Sequence, residues 1–173
     1  MKPHEKHRAS APRDVSAVLV TVSTSRHGAK TRGERWTDES GDRATKEMTR
    51  LGYRVSRRGL LSDDESMIVK EVKKFLRGED DVLVFMGGTG ISSRDVTIEA
   101  VRPFLEKELE GFGELLRGVS YRRVGGAAML TRATAGVARG KLILCLPGSP
   151  DAAKVALRTF GKEIPHALFV SRS

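Results

Sequence analysis

Asp81-Val82-Leu83-Val84-Phe85-Met86-Gly87-Gly88-Thr89-Gly90-Ile91-Ser92-Ser93-Arg94-Asp95-Val96-Thr97 joins an unbroken apolar run to a glycine-rich loop. Five consecutive large apolar residues from Val82 suit a strand buried on both faces. The glycines after it let backbone amides approach an anion with no Cβ in the way. Thr89, Ser92 and Ser93 offer hydroxyls, and Arg94 offers a cationic fork. A helix is predicted to begin near Val96–Glu99, so its positive end adds to the attraction for an anion. The loop is not a P-loop, because no Lys-Ser/Thr pair follows the glycines, and it is not the dinucleotide pattern G-x-G-x-x-G. A tight turn with capping hydroxyls would use the same residues without a ligand.

Outward from this stretch, the chain alternates strand and helix. Ser16–Ser23 is a short β-branched run that reads as a first strand, and Tyr53–Leu60 as a second. Between them the basic segment Thr24–Asp38 is expected to be a loop, followed by a helix to about Leu51, with Gly52 as its stop. Ser62–Glu65 opens an amphipathic helix with Ile68, Val72, Phe75 and Leu76 on one face, ended by Gly78. Asp63 or Asp64 can cap it. After the glycine loop, Pro103 is expected to interrupt a helix, and Glu110–Arg123 to be helical or irregular. Ala127–Ala133 and Lys141–Leu146 read as strands joined through Gly136–Gly140, and Asp151–Phe169 as a closing helix broken near Pro165. The predicted fold class is α/β: three layers, a mostly parallel sheet with helices on both faces, plus a short hairpin. Residues 1–14 are polar and without hydrophobic period, and are expected to form a disordered basic tail ahead of a single domain, 15–173.

In an open parallel sheet, ligands bind outside the carboxyl ends of the strands. Asp64 and Asp95 each follow such an end and each start a helix. Two carboxylates about 5 Å apart would repel by about 3 kcal/mol at an effective dielectric of 20. A shared Mg²⁺ removes that cost and bridges to phosphates. Both residues equally suit helix capping, and the residues alone leave the two roles open. Glu99 lies one turn beyond Asp95 and could add an outer contact, though a solvated surface position suits it better. Pro147-Gly148-Ser149-Pro150 is a rigid corner before a helix. Ser149 would cap that helix, or the amides of Gly148 and Ser149 would face an anion.

The chain has 173 residues, 39% of them hydrophobic, which suffices for one core without disulfides. Its single cysteine, Cys145, lies in an apolar run and reads as a core thiol. None of His4, His7, His27 and His166 has metal-ligand spacing on one element. No stretch is long and apolar enough to span a membrane, and no secretory leader is evident, so a cytoplasmic location is expected. The net charge is +9. The cations gather at Lys2–Arg13, Arg26–Arg35 and Arg117–Arg123, with no aromatic stripe among them. That pattern favours a small anionic ligand over a nucleic acid. There is no Asn or Gln anywhere, and Arg outnumbers Lys, as in heat-adapted proteins.

The order Asp38-Glu39-Ser40-Gly41, Asp63-Asp64-Glu65, Gly87–Thr97, Gly111–Arg117, Leu130–Gly136 and Leu146–Pro150 resembles the MoaB/MogA family of molybdenum-cofactor biosynthesis proteins, closer to MoaB. The resemblance spans about Ala17 to Leu168. It implies a molybdopterin-binding, MogA-like fold and an activity: Mg²⁺- and ATP-dependent adenylylation of molybdopterin, with release of pyrophosphate. The alternative it implies is a carrier of the same fold that binds molybdopterin without catalysis. The family's acidic, Mg²⁺-holding pair carries over onto Asp64 and Asp95. Its phosphate loop carries over onto Gly87, Gly88, Thr89 and Gly90, and Ser40, Gly41, Ser149 and Pro150 match its other pocket loops, with Ser92, Arg94 and Gly148 as candidate contacts beside them. A homo-trimer or hexamer and a downstream metal-insertion enzyme are the implied partners. The segment Arg26–Trp36 is longer and more cationic than the family pattern.

Overall fold

The computed structural model describes residues 12 and 14–173; apart from those two positions, the expected basic tail lies outside the described residues. A six-stranded sheet runs in the order β2-β1-β3-β6-β5-β4. Its strands are β1 (Ser16–Val22), β2 (Arg54–Leu61), β3 (Val82–Met86), β4 (Lys107–Glu108), β5 (Thr134–Ala138) and β6 (Lys141–Leu146). The pairs β1–β2, β1–β3 and β3–β6 are parallel, while β5–β6 and β4–β5 are antiparallel. This is the predicted mostly parallel sheet with a hairpin at one edge.

Alternation along the strands sorts the core into two layers. Leu19, Val84, Met86, Leu144 and Leu146 point to one face. There they meet α2 (Glu39–Arg50), α5 (Glu110–Val124), α6 (Pro150–Phe160) and α7 (Ile164–Ser171). Val18, Val20, Phe85, Ile143 and Cys145 point to the other. That layer is closed by α3 (Glu65–Arg77) and α4 (Thr97–Val101). Ile68, Val72 and Phe75 of α3 are buried, as their spacing predicts. Burial pushes the Cys145 thiol well above its ordinary pKa, which leaves it an inert core group.

Three expectations are corrected. Thr24–Asp38 is not all loop: α1 spans Thr24–Thr31, capped by Ser23 and braced by the Thr31 hydroxyl on His27 O. Ala127–Ala133 is not a strand. Gly125–Leu130 forms a 3₁₀ turn, which leaves Met129 81% exposed, and β5 starts at Thr134. The hairpin reverses at Arg139–Gly140, both at positive φ (53° and 70°), not through Gly136–Gly140. The closing helix is broken near Pro165, as expected, at Gly161–Glu163.

Asp81, just before β3, ties both ends of the described fold together. One of its oxygens accepts from the Ser16 amide (2.8 Å) and hydroxyl (3.0 Å), and the other accepts from Arg172 at 2.6 Å.

Candidate active site

The carboxyl ends of β1, β2, β3 and β6 surround a cleft of about 660 Å³. Val22 to Arg26 line it from the β1–α1 corner, and Asp63 from the β2–α3 corner. Gly87–Gly90, Ser92, Arg94 and Asp95 line it from the loop after β3, and Pro147 and Gly148 from the loop after β6. Ala127, Leu130, Thr131 and Arg132 add a wall from the segment before β5.

Local chemistry fixes the glycine loop. Gly87 has φ +110° and Gly88 φ +61°, and a Cβ on Gly87 would collide with the Val22 carbonyl. Only glycine fits there without strain. Thr97 locks both residues: its hydroxyl donates to Gly87 O at 2.9 Å and its amide to Gly88 O at 2.9 Å. The Gly87 amide donates to Leu146 O at 3.0 Å. By contrast, the amides of Gly88, Thr89, Gly90 and Ile91 have no acceptor among the described residues. Thr89 is 3% exposed, yet its hydroxyl also has no partner among them. Consecutive unpartnered donors, three of them on residues that line the cleft (Gly88, Thr89 and Gly90), with an unpartnered hydroxyl beside them, are the donor pattern an anion site uses.

Three carboxylates follow the carboxyl ends of β2 and β3, each held by one oxygen. Asp95 Oδ2 accepts from the Ser92 amide at 2.9 Å, and a Cβ added at Gly90 would lie 2.8 Å from the same atom. Asp63 Oδ2 accepts from the Thr24 amide (2.9 Å) and hydroxyl (2.8 Å), while a Cβ at Gly88 would stand 2.8 Å from its Oδ1. Asp64 caps α3: its Oδ1 accepts from the Ser66 hydroxyl (2.6 Å) and the Met67 amide (2.9 Å). Those two donors, Ser66 first, hold its carboxyl below the usual range. Asp63 lines the cleft and Asp64 does not.

The other expected contacts divide in the same way. Gly87, Gly88, Thr89, Gly90, Ser92, Arg94, Asp95 and Gly148 are brought together on the cleft; Ser40, Gly41, Ser149 and Pro150 are not among its lining. Ser40 is fully buried and donates to Gly148 O at 2.7 Å, so it supports the wall from behind. Gly41 packs into a network below, its amide donating to Asp38 Oδ1 at 3.0 Å. Ser149 caps α6 by accepting from the Ala152 amide at 3.1 Å, and Pro150 fills the first helical position. A Cβ on Gly148 would come 3.0 Å from Gly87 Cα, so the two loops are in contact.

Arg132 is a site residue that the individual residue types do not reveal. Its guanidinium donates to Gly90 O at 2.8 Å and pairs with Glu99. Burial would raise the pKa of Glu99, but the Arg132 contact outweighs it and holds the carboxyl low. Glu99 is therefore not a free surface group: it anchors the arginine that fixes the loop. The Leu130–Gly136 motif was the signal for it.

An open α/β sheet with an amide-lined anion loop at its topological switch point defines a phosphate- or nucleotide-binding protein. The family described as "Probable molybdopterin binding domain" matches residues 18–166, and the chain belongs to it. The chain is 40% identical over 168 residues to the molybdopterin adenylyltransferase of Pyrococcus furiosus, covering 95% of each. It is 40% identical over 166 residues to molybdenum cofactor biosynthesis protein B of Staphylococcus aureus, covering 95% of this chain and 96% of that one. The crystal structure of the tungsten cofactor synthesizing protein MoaB from Pyrococcus furiosus superposes with a TM-score of 0.84 at 36% identity, covering 94% of this chain and 100% of that one.

Proposed function

We propose that the chain adenylylates molybdopterin in the cytoplasm. An oxygen of the terminal phosphate of molybdopterin attacks the α-phosphorus of ATP. The bond from that phosphorus to the bridging oxygen breaks, and pyrophosphate leaves with the electron pair. The observation that carries this is the run of unpartnered amides from Gly88 to Ile91 together with the unpartnered hydroxyl of Thr89, a cleft-lining residue. These donors suit the non-bridging oxygens of an α-phosphate as charge builds on them. Arg94 adds a positive charge beside them. Phosphoryl-group chemistry of this kind needs positioning and neutralisation rather than a protein nucleophile. The inert thiol of Cys145 fits that requirement.

Mg²⁺ fits the donor set. The cleft wall offers Asp63 and Asp95, each with one oxygen free of protein donors among the described residues. Mg²⁺ is commonly held by one or two carboxylates plus substrate phosphates. Asp95 would hold it from the cleft wall, and Asp64, a helix cap outside the lining, would have to turn inward to join it; Asp63 already lines the wall. Bound there, it would offset the charge of the triphosphate.

An AMP-transfer assay on purified protein tests this function, and calorimetry with ATP separates it from a carrier, which would bind molybdopterin but no nucleotide. Asp95→Asn and Asp64→Asn are expected to keep their folds, since Asn also caps helices, and to lose about 100-fold or more in turnover. Normal turnover in Asp64→Asn with loss in Asp63→Asn would move the metal-holding role to Asp63.

The assembly is proposed to be a homo-trimer or hexamer. The exposed apolar side chains Leu115, Tyr121 and Val124 on α5, with Met129 and Leu130 beyond it, offer a surface for subunit contact. Sedimentation velocity reads the state, and a monomer at micromolar concentration would rule it out. Adenylylated molybdopterin would be consumed by a metal-insertion enzyme.

A further inference from the structure

Three arginines line the cleft, and they are not equivalent. Arg132 is engaged by Gly90 O and Glu99. Arg26 and Arg94 have no carboxylate partner among the described residues. Arg94 belongs to the glycine loop, beside Asp95. Arg26 comes from a different element, the first turn of α1, which carries no acidic residue of its own. The backbone around Arg26 is fixed. Its amide donates to Ser23 Oγ at 3.5 Å, and Thr24 is bonded twice to Asp63. Arg26 is thus a half-buried residue on a capped helical turn, lining an anion cleft without an ion pair to either carboxylate on that wall, Asp63 or Asp95, among the described residues. Arginine is the side chain best matched to two phosphoryl oxygens at once.

We propose that Arg26 binds a second phosphoryl group in this cleft, distinct from the one held by the Gly88–Ile91 amides. This rests on the AMP-transfer reading above. Two groups present the same chemistry to Arg26: the terminal phosphates of the nucleotide, which leave as pyrophosphate, and the terminal phosphate of the acceptor.

Titration calorimetry and steady-state kinetics on Arg26→Ala, Arg26→Lys and the distant control Arg35→Ala test it. A nucleotide-tail contact weakens binding of ATP and pyrophosphate by about tenfold or more in Arg26→Ala, with AMP binding unchanged. An acceptor contact instead raises KM for molybdopterin by a similar factor and leaves ATP and pyrophosphate alone. Either result supports the proposal, and Arg26→Lys recovers part of the loss because it restores charge without the fork. All constants within twofold of wild type in Arg26→Ala would overturn it. Should the wild-type protein transfer no AMP while Arg26→Ala still loses pyrophosphate binding, the assigned reaction fails and the Arg26 contact stands. Should the wild type transfer AMP and Arg26→Ala match it throughout, the contact fails and the reaction stands. Arg26→Lys also serves as the test variant if the alanine protein does not fold.

Discussion

Glu47 on α2 is 3% exposed and ionised, held between Arg50 and Arg158 at 2.8 Å each. Burial pushes its carboxyl pKa up, but the two guanidiniums outweigh burial and bring it below the ordinary 4.5. The unfolded chain therefore takes up this proton first as acid is added. The stabilisation is complete above pH 4.5 and is lost as pH falls toward the lower folded value. Glu47→Gln is expected to lose about 2 kcal/mol at pH 7, a discount from the 3–5 kcal/mol of a fully buried pair because both arginines stay half in water. Its urea midpoint should also fall less than that of the wild type between pH 5 and pH 3. Parallel curves across that range would show that Glu47 does not carry the acid sensitivity.

At the scale of elements, α2 and the loop after β6 are coupled through a part-buried hydrogen bond, Ser40 Oγ to Gly148 O. Ser40→Ala leaves that carbonyl without its donor. The expected cost is about 1–2 kcal/mol in stability. Because Gly148 touches Gly87, KM for the substrates should rise with little change in kcat. A kcat loss with unchanged KM would mean that the wall does not position substrate. The elements missed by sequence share a cause. Thr24–Thr31 is rich in Ser, Thr, Gly and His, whose helix propensity is poor, and its cap and tertiary seat override that. Gly125–Leu130 looked extended because Met129 and Leu130 are apolar, but they face solvent rather than a sheet layer. The strands Val82–Met86 and Lys141–Leu146 were legible because full burial on both faces writes an uninterrupted apolar run. At the site, positions next to Gly87–Asp95 could be read from local spacing. Arg26 and Asp63 could not, since what matters is which of several similar residues turns inward once distant loops meet, and Arg132 was marked only by the Leu130–Gly136 motif. Ser40 shows the converse: it sits in a quoted motif, but its hydroxyl faces the Gly148 carbonyl.

The whole molecule carries +9 and no Asn or Gln, and several of its ion pairs cross between elements, as Arg57–Glu71, Arg58–Asp38 and Arg123–Asp151 do. Such pairs gain value as temperature rises, because desolvating them costs less when hot. A melting temperature above the roughly 45–65 °C of ordinary domains is expected, and calorimetry giving about 50 °C would count against heat adaptation. The positive balance also favours gathering ATP and a second phosphorylated substrate in one cleft.

The clasp at Asp81 has a practical corollary. Ser16 and Arg172 meet at the amino end of β3, about 16 Å along the strand from the glycine loop at its carboxyl end. A surface tether or reporter dye attached at the neighbouring exposed positions Asp14 or Ser173 would leave the clasp intact and hold the molecule by its base, with the mouth of the cleft turned toward the bulk solution.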